Sequence, residues 1–335
     1  MMKRVLWIAL IFLGVAAGGL VAYIATFKPA QRPASAEKVA LTPARVERGR
    51  YLAEGALDCF GCHSQRDWSR YGAPAQGPKG AGGFCLGEES GLPGTVCTSN
   101  ITPDVETGLG GWTDGEILRA IREGVDKDGH ALMPFMPYGS YRSLSDEDGR
   151  ALVAYLRTLP PAHNPVPESE IQFPVNLIMK TAPRPLAGPV PAVDPSDSVR
   201  YGEYLTTTAG CRDCHTPTDD KHEPLPGMAF AGGQEMKGPW GMVRSANLTP
   251  HGTGLGPVTR NAFIARFKAF ADEETAAVPV PEGANTVMPW LSLGDMTEED
   301  LGAIYDYLQT LTPVPNTVDR FPVLASRPPA EQPAG

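Results

Sequence analysis

Cys59-Phe60-Gly61-Cys62-His63 decides how this sequence folds, because it recurs 152 residues later as Cys211-Arg212-Asp213-Cys214-His215. The match extends outward in both directions. Upstream, G-R-Y-L at 49–52 pairs with G-E-Y-L at 202–205. Downstream, S-N-I-T-P at 99–103 pairs with A-N-L-T-P at 246–250, and M-P-Y at 136–138 with M-P-W at 288–290. SDEDGRALVAYLRTL (145–159) then aligns without a gap to TEEDLGAIYDYLQTL (297–311). His63 to Met136 is 73 residues, and His215 to Met288 is also 73. Register kept over such a length marks a duplicated unit.

Each copy reads as mostly helical. Ser145 with Asp148, and Thr297 with Asp300, form helix-start signals in which a side-chain oxygen takes an orphan N–H and the acid meets the positive end of the helix dipole. Leu152, Tyr155, Leu156 and Leu159 follow at helical spacing, as do Ile304, Tyr307, Leu308 and Leu311. Prolines 160, 161 and 313 stop both helices. Gly49 and Gly202 leave room for a second helix to approach closely. The stretch between the copies is too rich in proline for regular structure. Its apolar patch, Phe173 to Met179, is expected to lie across a domain surface. The tail after residue 320 is expected to be disordered.

C-x-x-C-H is the attachment pattern for c-type haem. Two thiols add across the vinyl groups and the adjacent histidine reaches the iron. A C-x-x-C redox disulfide or half of a zinc site are the alternatives. The histidine in both copies, and a methionine at the same distance from each, favour haem. We therefore expect two covalent haems c, held by Cys59 and Cys62 and by Cys211 and Cys214. His63 and His215 are the proximal iron ligands, and Met136 and Met288 the sixth ligands, an electron-transfer ligand set. Met133 and Met296 are the rivals; the repeat register selects Met136, and Met296 sits beside a helix cap. The remaining histidines, 130, 163, 222 and 251, read as surface residues. Cys85 and Cys97 occur in unit one alone, in a Gly-rich loop, where export would favour a disulfide. Asn100 and Asn247 lie in N-x-T sequons, but their recurrence favours a packed turn over glycosylation.

The chain has 335 residues, is 42% hydrophobic and 20% charged, and carries a formal net charge of −9. An acidic chain is a poor candidate for nucleic-acid binding, which wants a basic patch. Residues 5–27 carry no charge, and 23 apolar residues can span a bilayer. The reading is an uncleaved anchor, against a signal segment cut near A-S-A at 34–36.

NITPDVETGLGGWTDGEILRAIREG (100–124), followed by M-P-Y and the S-D-E-D helix, resembles the cytochrome c subunits of membrane-bound bacterial alcohol and sugar-acid dehydrogenases and their dihaem relatives. F-P-V-N at 173–176 and the second C-H-T-P at 214–217 add to the likeness. The chain departs from the pattern in carrying two C-x-x-C-H motifs where those subunits usually have three. The segment with Cys85 and Cys97 is an insertion, and GPVTRNAFIARF (256–267) replaces the usual tryptophan-bearing segment.

The resulting expectation is an all-α fold of two tandem class I cytochrome c-like domains after an N-terminal transmembrane helix. The divisions are an anchor and linker over 1–36, domain one over 45–160, a Pro-rich linker over 161–197, domain two over 198–312 and a tail over 313–335. The expected role is single-electron transfer on the periplasmic side of the cytoplasmic membrane, between a dehydrogenase or quinol-side donor and a downstream cytochrome or oxidase. No nucleic acid and no substrate chemistry are expected. A dihaem peroxidase or thiosulfate-oxidising cytochrome is the enzyme alternative.

Overall fold

A computed structural model describes residues 26–271 and 273–320, with Trp7 and Gly19 as isolated positions before them. Unit one contains helices α1 (Pro43–Tyr51), α2 (Cys59–Cys62), α3 (Asp114–Glu123), α4 (Tyr138–Tyr141) and α5 (Asp146–Leu156). Unit two repeats them as α6 (Ser198–Thr208), α7 (Cys211–His215), α8 (Arg260–Lys268), α9 (Trp290–Gly294) and α10 (Glu298–Leu308). The expected caps are in place: Ser145 accepts from Asp148 N, and Thr297 from Asp300 N.

In both units the first helix packs directly on the last, and glycine makes the approach possible. A Cβ at Gly49 would lie 1.9 Å from the carbonyl oxygen of Ala151, and one at Gly202 would lie 1.8 Å from that of Ala303. The main core runs unbroken through both units, from Leu52, Leu152 and Leu156 to Leu205, Leu301 and Leu308.

The expected all-α class is corrected here. Short antiparallel strands run between the C-x-x-C-H motif and the methionine of each unit, with one more in the linker: β1 (Gln65–Arg66) pairs with β2 (Ala75–Gln76). Next, β3 (Cys85–Leu86) pairs with β4 (Gly94–Cys97), which pairs in turn with β5 (Glu170–Ile171). In unit two, β6 (Glu235–Gly238) pairs with β7 (Gly241–Arg244). Long Gly-rich crossings carry backbone donors and acceptors that must find partners, and a two-stranded ladder supplies them locally. The helix period in the flanking sequence does not announce this.

The hairpin of unit one does not stand alone. A hairpin stands at the matched place in unit two, and the two clasp each other. Leu86, Trp240 and Val243 form a second small core, with Trp68, Phe84, Leu92 and Met236 packed on it. Cys85 and Cys97 are cross-strand partners joined by a disulfide.

The transmembrane helix expected over 5–27 falls almost wholly outside the described residues. Among the described residues no helix is long and apolar enough to cross a membrane, so the anchor has no support from the structure. The segment that follows is fastened to α3. Arg32 pairs with Glu123 at 2.7 Å, and Val39 N donates to Asp114 at 2.8 Å. The linker is also held down: Val190 O accepts from Asp146 N at 2.9 Å. Phe173 and Ile178 do remain exposed on its surface. The tail beyond 320 lies outside the described residues.

Candidate haem-attachment sites

A residue with left-handed backbone opens each attachment turn. In unit two it is Gly210 (φ 66°); in unit one it is Asp58 (φ 45°), a conformation that asparagine and aspartate tolerate best after glycine. The turn places both thiols of each pair on α2 or α7, with the histidine at its end.

The histidines are then oriented from behind. His63 Nδ1 lies 2.7 Å from the carbonyl oxygen of Ser99, and His215 Nδ1 lies 2.8 Å from that of Ala246. A carbonyl can only accept, so Nδ1 carries the proton and the Nε2 lone pair is free for a metal. Burial holds both imidazoles neutral by lowering their pKa, against the smaller opposing effect of the carbonyl. The backbone of each histidine is held as well. Gly82 N donates to His63 O at 2.9 Å, and Gly232 N to His215 O at 2.8 Å. Ser64 and Thr216 add matched bonds to Gly80 N and Phe230 N, each of 3.1 Å.

The thiols do not resemble those of a redox disulfide, which are activated by a lowered pKa. Burial, then the Asp58 charge, pushes Cys59 up to about 12 and Cys62 to about 11. Cys211 and Cys214 rise to about 12 and about 11, again chiefly by burial. Cys62 and Cys214 are exposed, whereas Cys59 and Cys211 are half-buried.

Met136 and Met288 are half-buried and pack on the same core as Cys59 and Cys211. Each precedes a proline and one helical turn, α4 or α9. Tyr141 of α4 reaches across to donate to Leu57 O at 3.1 Å, tying the methionine loop of unit one to its attachment turn. Met296 is fully buried and serves as core. Met133 accepts the Met136 N–H through its carbonyl at 3.0 Å, so the two methionines flank one tight turn.

No family model matches the chain. Single proteins do. It is 31% identical over 288 residues to the cytochrome c subunit of the quinone-type alcohol dehydrogenase of Komagataeibacter europaeus, covering 81% of this chain and 57% of that one. The chain is a homologue of bacterial dehydrogenase cytochrome c subunits. The gluconate 2-dehydrogenase cytochrome c subunit of Pantoea cypripedii matches at 31% over 289 residues, 80% of this chain and 60% of the relative. A diheme cytochrome c-type protein of Cereibacter sphaeroides matches at 32% over 162 residues, 47% of this chain and 54% of the relative. The chain spans three-fifths or less of the length of these curated relatives.

For a cytochrome c homologue the donor set fits. Two protonated thiols, a neutral imidazole with Nε2 free, and a half-buried thioether are what covalent haem c needs from a protein. The structure also explains the two sequon asparagines. Asn100 is 2% exposed and Asn247 4%. Asn100 donates to Thr107 Oγ1 at 3.0 Å and Ala162 O at 2.7 Å, while accepting from Thr102 N and Oγ1. Asn247 makes the matched set with Thr253, Val314 and Thr249. Each pins the chain leaving the last helix of its unit, so neither amide is free for a glycan. His130, His163 and His222 are exposed and His251 half-exposed. Sequence reasoning passed over Tyr51, Tyr204, Asp58, Ser140, Asp213 and Ser292, which join the units. Tyr51 and Tyr204 sit in the repeated G-x-Y-L, and that repetition was the available signal.

Proposed function

We propose that this chain is a periplasmic electron-transfer cytochrome carrying two haems c, one in each unit. Cys59 and Cys62 would hold the first, with His63 and Met136 as iron ligands. Cys211 and Cys214 would hold the second, with His215 and Met288. The carrying observation is the duplicated histidine cradle, a carbonyl at 2.7 Å in one unit and 2.8 Å in the other, which leaves both Nε2 atoms free. Haem supplies one-electron exchange between ferric and ferrous iron. The protein's residues hold the histidine tautomer, and thioether ligation by Met136 and Met288 would raise the potential. The dehydrogenase relatives support a dehydrogenase as electron donor over a quinol-side one; a downstream cytochrome or oxidase would be the acceptor.

Mass spectrometry of the denatured protein should show two added haems. Met136→Ala and Met288→Ala should each remove one methionine–iron charge-transfer band and open that haem to carbon monoxide. Met133→Ala should change neither property. If Met133→Ala removes the band and Met136→Ala leaves it, the ligand assignment in unit one fails.

A further inference from the structure

The two units meet through contacts that repeat on both sides of their boundary. Tyr51 of α1 donates to Asp300 Oδ2 at 2.6 Å, and Tyr204 of α6 donates to Asp148 Oδ2 at 2.5 Å. Each tyrosine oxygen also accepts a backbone N–H at 3.2 Å, Tyr51 from Thr297 and Tyr204 from Ser145. The first helix of each unit therefore closes the start of the other unit's last helix.

A second reciprocal pair lies at the attachment turns. Ser292 Oγ of α9 donates to Asp58 Oδ1 at 2.5 Å, and Ser140 Oγ of α4 donates to Asp213 Oδ2 at 2.8 Å. The serines occupy matched repeat positions, four residues after Met136 and Met288. The aspartates do not match: Asp58 precedes the first cysteine of its motif, while Asp213 lies between the two. Gly61 resolves the mismatch. A Cβ there would lie 2.0 Å from Asp58 Oδ2, so the Asp58 carboxylate fills the space belonging to a side chain at 61, the position matched to Asp213. Two sequence routes thus deliver a carboxylate to one spot against the other unit's serine.

Arg66 fixes the turn of unit one in this posture. It donates to Gly61 O at 3.1 Å, Gly72 O at 2.5 Å and Ala73 O at 2.7 Å. Gly72 N in turn donates to Asn285 Oδ1 of unit two at 3.0 Å.

We infer that this boundary is the electron junction between the two haems, with Asp58, Asp213, Ser140 and Ser292 as its positioning residues. The inference rests on the proposed dihaem function. The attachment turn of each unit faces the methionine-bearing turn of the other, so a haem held by either turn would lie beside the boundary. One electron crosses per exchange, oxidising one iron and reducing the other, with no bond made or broken.

The test uses the full haem-loaded chain and flash photoreduction, following electron equilibration between the haems. The double variant Ser140→Phe/Ser292→Phe puts a ring where a hydroxyl meets a carboxylate and should slow equilibration by about tenfold or more, equal to about 1.4 kcal/mol on the barrier. Both methionine–iron bands should persist. Ser140→Thr/Ser292→Thr keeps both hydroxyls and should restore the wild-type rate. Ser140→Ala/Ser292→Ala, which adds no bulk, should also slow exchange, and covers the case in which the phenylalanine variant does not fold. An unchanged rate in the alanine variant, with two haems bound, overturns the junction alone. A wild-type protein with fewer than two haems overturns the functional proposal beneath it.

Discussion

Asp148 and Asp300 occupy the same place in the repeat, yet removing them should cost very different amounts. Asp148 is 8% exposed and accepts a two-pronged contact from Arg48, Nε at 2.8 Å and Nη2 at 2.9 Å, besides the Tyr204 hydroxyl. Asp300 has the Tyr51 hydroxyl alone among these, because the residue matched to Arg48 is Tyr201. Breaking a buried ion pair costs about 3–5 kcal/mol, since the surviving charge is left without a partner. The Arg48 side chain is 31% exposed and recovers some hydration, which brings Asp148→Ala to about 3 kcal/mol. Losing one neutral hydroxyl donor in Asp300→Ala should cost about 1 kcal/mol. Denaturant unfolding of the haem-loaded protein, at constant slope, reads the difference. Asp148→Asn keeps the tyrosine contact and should fall between the two. Equal losses for Asp148→Ala and Asp300→Ala would show that the arginine pair contributes nothing, and the reasoning from burial would be refuted.

Gly49→Ala and Gly202→Ala should each destabilise by several kcal/mol, about the upper range for overpacking, because the added carbon meets a backbone carbonyl that cannot rotate away; thermal melting of each variant checks this. Opening the Cys85–Cys97 loop by Cys85→Ser/Cys97→Ser should cost about 3 kcal/mol on the chain-entropy argument, with the near-ultraviolet signal of the Trp68–Trp240 contact (ring centroids 5.3 Å apart) loosening first. Asp104 accepts from Thr107 N at 2.7 Å and Oγ1 at 2.8 Å, and these bonds hold its carboxyl below 3.8. A carboxylate with a lowered folded pKa stabilises fully above its unfolded value and loses that contribution as pH falls through the folded one. Acid titration of Asp104→Asn should therefore show a shallower loss of stability below pH 3.8 than the wild type.

The sequence by itself determined the duplication, the place of each C-x-x-C-H motif and the helices that bracket it. Those features are local or periodic: C-x-x-C-H is five consecutive residues, a capping box spans four, and a helix repeats every 3.6 residues. Even the close helix approach was legible at Gly49 and Gly202, because only a missing side chain leaves that space. The strands were not legible. β3 and β6 are two to four residues long, and their partners are chosen by which unpaired backbone groups a Gly-rich crossing brings together. The boundary between the units was decided by tertiary structure alone. Asp58 and Asp213 stand at unmatched positions, and nothing linear says that their carboxylates reach matched serines. That equivalence follows from the left-handed backbone at Asp58 and the empty side-chain space at Gly61, which exist only once the turn has folded against the other unit.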